Sequence, residues 1–276
     1  MNLKKTVIIS LAALACAGFI AGCGSDKKDA ASADPAKTKN EIKVGTTPGY
    51  SEQVVEFVAK EAEKEGLKVT IVPFSDYVTP NQALAQGDID VNSYQHVPFL
   101  EAFNEKNGTK LVPIGNTYLA PLRLFSNKHK TLSDLPDGAS IAIPNDPTNG
   151  GRALLVLQSA GLIKLKEGAP ITATPQDIAE NPKNLEFSEL EAPQLPRALE
   201  DADIAIINMN FALEAKLDPK SAIYSEGSDS PYANIVAVRE GDENRPELQK
   251  LMKALTSKEV KDFIEKKYGG SVKTVF

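Results

Sequence analysis

The sequence contains no tryptophan, two cysteines and two histidines, and aromatic residues make up 6% of its 276 positions. So few aromatics argue against a large aromatic recognition surface. Both cysteines, Cys16 and Cys23, fall within the first 23 residues. Everything after them lacks a thiol, which excludes disulfides, cysteine nucleophiles and thiolate metal sites there. His96 and His129 lie far apart, so neither a metal cluster nor any other cofactor is expected. The net charge is −6 with no clustered block of Lys or Arg, which is poorly suited to nucleic-acid phosphates. Catalytic signatures are missing too. There is no G-x-S-x-G elbow, the glycine loop NDPTNGGR lacks the Lys-Ser/Thr pair of a nucleotide P-loop, and GTTPG lacks the spacing of a dinucleotide fingerprint. Asp88 and Asp90 alternate across a strand start and read as structural. The chain is therefore not expected to be an enzyme.

What is present begins with a leader. Lys4 and Lys5 precede an apolar run from Val7 to Ile20, too short to span a bilayer comfortably. The run ends in Ile20-Ala21-Gly22-Cys23, which resembles a bacterial lipobox. Cleavage there would remove residues 1–22 and leave Cys23 as an acylated N-terminus; an ordinary secretory signal with an incidental cysteine is the alternative. No later apolar stretch reaches spanning length, so the lipid would be the only membrane anchor. Residues 23–40 (CGSDKKDAASADPAKTKN) carry almost no large apolar side chain and read as a flexible tether. The whole chain is 42% hydrophobic and 25% charged, as in globular proteins.

From residue 42 onward, strand-like and helix-like patterns alternate. IKVGTT (42–47) reads as a buried strand. SEQVVEFVAKEAEKEG (51–66) reads as a helix with Val54, Val55, Val58 and Ala62 on one face. LKVTIVPF (67–74), a short helix at 79–88 and a strand at 89–94 follow, an order that predicts a parallel α/β sheet. The same order recurs as a strand at 139–146, a helix at 151–161, a strand at 184–191, a helix at 192–202 and a strand at 203–210. Two segments, ALAQGDIDVNSY and ALEDADIAIINMN, even end alike, which chance pairing in an α/β chain could also produce. The expected fold is α/β with two lobes, each built on its own sheet. NIVAVRE (234–240) would return to the first. Lobe one would then comprise 41–121 plus 233–276, and lobe two 122–232, with hinges near 122 and 232.

Open α/β sheets bind ligands outside the carboxyl ends of their strands. In lobe one those loops carry Thr47 to Gly49, Phe74 to Tyr77, and Asn92 to Phe99. In lobe two they carry Asn145 to Arg152 and Asn208 to Phe211. The first set offers Tyr77, Tyr94, His96 and Phe99, a half-polar aromatic wall suited to an apolar or sulfur-containing side chain. The second offers Arg152 with Asn145, Asn149 and Asn208. A guanidinium fork matches a carboxylate with two charge-assisted hydrogen bonds, and an amide can bond either end of an amino acid. Together they describe a receptor for a free α-amino acid. Bland alternatives stand beside each residue: the asparagines can cap turns, Tyr94 and Phe99 can be core, and His96 can cap a helix. Arg152 near a helix start opposes the helix dipole, which favours a functional role over none. The glycines before it would let backbone and ligand approach closely. His129 reads as a solvated surface residue.

The segments IKVGTTPG, FSDYVTPNQALAQGDIDVNSYQHVPFL, IPNDPTNGGRALLVLQSAGLIKLK, ENPKNLEFSELEAPQLPRALEDADIAIIN and SPYANIVAVRE resemble the methionine-binding lipoproteins of the NlpA type over nearly the whole chain from residue 42. The resemblance implies a two-lobed periplasmic-binding-protein fold, monomeric and lipid-anchored in the cell envelope. Its domain would face the periplasm or the extracellular space. Such a receptor captures L-methionine and delivers it to an ABC permease with ATPase subunits. It further implies that Arg152 takes the ligand carboxylate and that Asn208 and Asn234 fix the amino-acid backbone. Tyr77, Tyr94 and His96 would surround the thioether. Members of the family often carry Phe where this chain has Tyr94, and the NMN at 208–210 leaves the role of Asn210 open. D-methionine, a methionine-containing dipeptide, another apolar amino acid, or a surface adhesin using the same fold are the alternatives.

Overall fold

The computed structural model of the protein describes residues 40–227 and 230–276, all within one unit, Thr38–Phe276. The expected leader, Cys23 and the tether up to residue 39 lie outside the described residues. The chain runs β1 (Glu41–Thr46), α1 (Tyr50–Lys64), β2 (Lys68–Pro73), α2 (Thr79–Gln86), β3 (Val91–His96), α3 (Val97–Asn107) and β4 (Leu111–Asn116). After β5 (Tyr118–Leu119) come β6 (Arg123–Phe125), β7 (Ser140–Pro144), α4 (Pro147–Ser159), the pair β8 (Lys164–Leu165) and β9 (Ile178–Glu180), and β10 (Glu186–Leu190). Next are α5 (Leu195–Ala198), β11 (Ile204–Ile207), α6 (Met209–Glu214) and β12 (Tyr224–Ser225). The chain ends with β13 (Asn234–Arg239), α7 (Pro246–Leu255), α8 (Lys258–Tyr268) and β14 (Lys273–Thr274).

Two five-stranded sheets result, ordered β2-β1-β3-β13-β4 and β10-β7-β11-β6-β12. Their plans are the same. In the first, β2, β1 and β3 are parallel and β13 runs antiparallel between β3 and β4. In the second, β10, β7 and β11 are parallel and β6 runs antiparallel between β11 and β12. In each sheet the antiparallel strand is the one that arrives after the chain crosses over. The parallel α/β arrangement expected from the sequence is present, with one antiparallel strand inserted in each sheet. That strand enters at the end where the parallel strands finish.

The inner parallel strands β3, β7 and β11 are buried on both faces, as covered parallel strands are, while the edge strands β2 and β10 stay partly exposed. Along β11, Ile204 and Ile206 face one apolar cluster with Leu154 and Leu157 of α4, while Ala205 and Ile207 face another. Helix α1 buries Val54, Val55, Val58 and Ala62; three β-branched residues in a helix show burial outweighing intrinsic propensity. Asp90 accepts from Lys43 N at 2.9 Å and pairs with Arg245 at 3.0 Å, a structural role.

Several expected elements shift. The segment at 192–202 is a 3-10 turn and the short helix α5, because Pro193 and Pro196 break up the backbone hydrogen bonding. The strand expected to run to 210 stops at Ile207, and Asn208 heads α6. The strand expected to end at 94 continues to His96, and α3 and β4 were not foreseen. His129 is a correction. Its ring is 16% exposed and Nε2 lies 2.9 Å from Asp203 Oδ1. Asp203 also accepts from the backbone and hydroxyl of Ser140. These bonds, that to His129 foremost, hold its carboxyl well below the usual range. His129 therefore ties the loop after β6 to the start of β11.

The glycines of NDPTNGGR serve packing. A Cβ on Gly150 would lie 2.9 Å from Pro144 O, and one on Gly151 2.1 Å from Ile171 O. They let α4 lie close to neighbouring backbone, not to a ligand. At an unobstructed helix position Gly→Ala stabilises by up to about 1 kcal/mol. Gly151→Ala is expected to do the opposite, losing about 1–3 kcal/mol in urea denaturation through overpacking; a stabilised variant would contradict this packing role.

Candidate functional site

The strand ends converge on a small cavity, placed where α/β sheets bind ligands. Eight of the candidate ligand-binding residues line it: Tyr77, Tyr94, His96, Phe99, Asn149, Arg152, Asn208 and Asn234. They come from both sheets. Tyr77 sits after β2, Tyr94 and His96 end β3, and Phe99 opens α3. Asn149 and Arg152 lie on α4, Asn208 caps α6, and Asn234 begins β13. Asn145 is excluded: it is exposed and its amide bonds Glu191 at 2.9 Å, while Asp146 caps α4.

The lining added by the structure is Tyr50, Gln95, Ala120, Met209 and Asn210. Tyr50 follows the Pro48-Gly49 turn directly, and that position was the signal for it. Gly49 has φ +87, and a Cβ there would stand 2.3 Å from Asn210 O. Only glycine allows that approach between segments that follow β1 and β11.

A run of amides is oriented from one end. The Asp146 carboxylate accepts from Asn149 N and Nδ2 and from Thr148 Oγ1. Burial raises its pKa while these bonds pull the other way. With its Nδ2 so engaged, Asn149 presents Oδ1, which accepts from Asn208 Nδ2 at 2.9 Å. Asn208 Oδ1 is then left buried without a partner among the described residues. Asn210 has the opposite polarity. Its Oδ1 accepts from Tyr77 OH at 2.5 Å, and its buried Nδ2 is unpartnered. Asn208 thus offers an acceptor and Asn210 a donor, so the two asparagines are not duplicates. Asn234 Nδ2 donates to Tyr94 O at 2.8 Å and Tyr50 OH at 3.3 Å, leaving Oδ1 as its acceptor.

His96 both caps and bridges. Its Nδ1 accepts from Phe99 N at 3.2 Å, which places the proton on Nε2, 3.3 Å from Asn149 Oδ1 across the cavity. Desolvation, with Arg152 nearby, lowers its pKa to about 3, so the ring is neutral. The aromatic wall is formed by Tyr77, Tyr94 and Phe99, with ring centroids 6.0–6.3 Å apart. Burial raises both tyrosine pKa values, keeping the phenols protonated. The Tyr94 hydroxyl donates to Tyr77 O at 2.6 Å, so the hydroxyl that distinguishes it from Phe is spent on backbone.

Arg152 occupies the second turn of α4, not its start, and it already has a partner. Nε and Nη2 donate to Glu226 Oε1 and Oε2 at 2.9 and 2.5 Å, and Nη2 reaches Ala120 O at 3.2 Å. Its Cζ lies 4.6 Å above the Tyr232 ring. A guanidinium has five donors. Three are engaged here, and the two on Nη1 have no partner among the described residues. The fork expected to meet a ligand is therefore occupied by a resident carboxylate, which the sequence reading missed. Among the described residues, no cluster of acidic residues and histidines could hold a metal ion, and no helix is long and apolar enough to cross a membrane.

Comparison with known proteins gives a consistent picture. The family model for NlpA lipoprotein matches residues 42–276. The D-methionine-binding lipoprotein MetQ of Salmonella typhi is 46% identical, with 99% of each chain covered. Its Escherichia coli K12 counterpart is 45% identical at the same coverage. A nutrient-binding protein from Burkholderia cenocepacia, solved bound to methionine, is 52% identical with a TM-score of 0.83, covering 85% of this chain and 100% of that one.

The lowered pKa of His96 has a consequence for stability. A base with a folded pKa near 3 and an ordinary value of 6.5 binds protons more readily when unfolded. Its contribution is intact above about pH 6.5 and is lost at up to about 1.4 kcal/mol per unit as pH falls toward 3. His96→Gln removes that slope. Chemical denaturation at pH 7 and 4.5 is expected to show a pH penalty smaller by about 2–3 kcal/mol in the variant; parallel pH curves would show that His96 is not buried neutral.

Proposed function

The chain belongs to the NlpA lipoprotein family, and on that footing we propose that it is a substrate-binding lipoprotein that captures free methionine between its two lobes and hands it to an ABC importer. The observation that carries this is the set of unpartnered polar atoms around the cavity. Arg152 Nη1 and Asn210 Nδ2 are donors available to a carboxylate. Asn208 Oδ1 and Asn234 Oδ1 are acceptors available to an ammonium. Beside them, Tyr77, Tyr94, Phe99 and Met209 make a wall that suits a thioether, which packs well on aromatic edges. The relatives are named for binding methionine and one is solved with it, which supports the same ligand here. No step of chemistry on the ligand is involved.

The lobes of this reading are 41–121 with 233–276, and 122–232, a division supported by which strands share a sheet. Closing on the ligand follows from differential affinity, because only the closed form offers contacts from both sheets at once. Cys23 would carry the lipid that holds the receptor, as a monomer, at the cell envelope. We take L-methionine as the ligand; the D-enantiomer is the second reading, favoured by relatives named as D-methionine-binding lipoproteins.

In a thermal-shift panel of amino acids, methionine at 100 times its Kd is expected to stabilise the protein by about 2.7 kcal/mol. A shift with another amino acid and none with either methionine enantiomer would refute the assignment. Arg152→Ala is expected to abolish the methionine shift; normal binding by that variant would remove Arg152 from the carboxylate role.

A further inference from the structure

Glu226 does not line the cavity, yet its carboxylate is engaged on every side. Oε1 accepts from Arg152 Nε at 2.9 Å and Ser230 Oγ at 2.8 Å, and Oε2 accepts from Arg152 Nη2 at 2.5 Å and Leu122 N at 2.9 Å. Leu122 lies on the segment by which the chain leaves the first sheet, and Glu226 and Ser230 on the segment by which it returns. One carboxylate thus fastens both crossings to the guanidinium that lines the cavity. Only 4% of the Arg152 side chain and 9% of the Glu226 side chain are exposed, so water screens the pair poorly.

The electrostatic result bears on what the cavity accepts. A lone buried guanidinium would make the site cationic and favour any anion. Here Arg152 is the only charged residue lining the cavity among the described residues, and its charge is matched by Glu226. His96 is neutral. Asp146, behind Asn149, is a further carboxyl group whose bonds run to Asn149 and Thr148. None of these groups leaves the site with excess positive charge, so a bound carboxylate must be balanced by charge the ligand brings itself. Asn208 Oδ1 and Asn234 Oδ1 are acceptors for such a group.

We propose that Glu226 is a specificity-determining residue: by neutralising Arg152 along its Nε–Nη2 edge, it makes the cavity select a net-neutral zwitterion and reject the corresponding anion that lacks the α-ammonium group. This rests on the reading of the cavity as a methionine site. Glu226 also aims the guanidinium, leaving Nη1 as the part that meets the ligand.

The test is calorimetry of methionine and of the α-hydroxy acid with the same thioether side chain, against the wild type, Glu226→Gln and Glu226→Asp. The wild type is expected to prefer methionine by about a hundredfold or more, since an unpaired ligand charge and unpaired buried acceptors both penalise the hydroxy acid. Glu226→Gln keeps the shape and removes the charge, and is expected to shrink that preference by about tenfold or more. Glu226→Asp keeps the charge and is expected to retain the preference while methionine affinity falls. An unchanged preference in Glu226→Gln would overturn the proposal and leave Glu226 as a support for the fold. If Glu226→Gln does not melt cooperatively, Glu226→Asp decides: a preference that falls in step with affinity overturns it. Failure of the wild type to bind methionine would refute the ligand assignment instead, separately from the role of Glu226.

Discussion

The guanidinium of Arg152 is divided between structure and site, and the cavity depends on that division. Three of its donors are committed inward to Glu226 and Ala120, and the face of the group is covered by Tyr232. This fixes the plane of the fork before any ligand arrives. A charge held in that way needs no reorganisation on binding, and preorganisation is where affinity is gained at least entropic cost. Breaking such a buried pair from one side would leave an uncompensated charge, so the cation and the fold around it are tied together.

The two sheets supply the frame. Because both follow one plan, parallel strands with an inserted antiparallel neighbour, both present their strand ends to the same cavity. The oriented amides complete it. The polarity of Asp146 passes through Asn149 to Asn208, and that of the Tyr77 hydroxyl passes to Asn210. An amide is ambiguous by itself; attached to a carboxylate or a phenol it becomes a defined acceptor or donor. The pattern of free atoms that results is that of an amino-acid backbone, and the aromatic wall beside it supplies an apolar surface for a side chain.

Much of this was legible in the sequence. The alternation of apolar runs and amphipathic helices revealed a doubled α/β plan, because burial on both strand faces leaves a strong pattern. Tyr77, Tyr94, His96 and Arg152 stood out because strand ends are where such sheets bind ligands. Asn234 came only through the resemblance, since an antiparallel strand arriving from a distant part of the chain has no local marker. Glu226 was invisible for the same reason: its pairing with Arg152 spans 74 residues and leaves no periodicity. Gly150 and Gly151 were misread because a glycine-rich helix start looks the same whether backbone or ligand comes close. His129 was misplaced because a charged, lysine-flanked segment conceals a tertiary partner, Asp203.

A crystal structure of the protein with methionine bound tests the central claim most directly. The carboxylate should lie within hydrogen-bonding distance of Arg152 Nη1 and the ammonium within reach of Asn208 Oδ1, with the Arg152–Glu226 pair intact. A ligand carboxylate seated on Nε and Nη2 in place of Glu226, or lying away from Arg152 altogether, would contradict it.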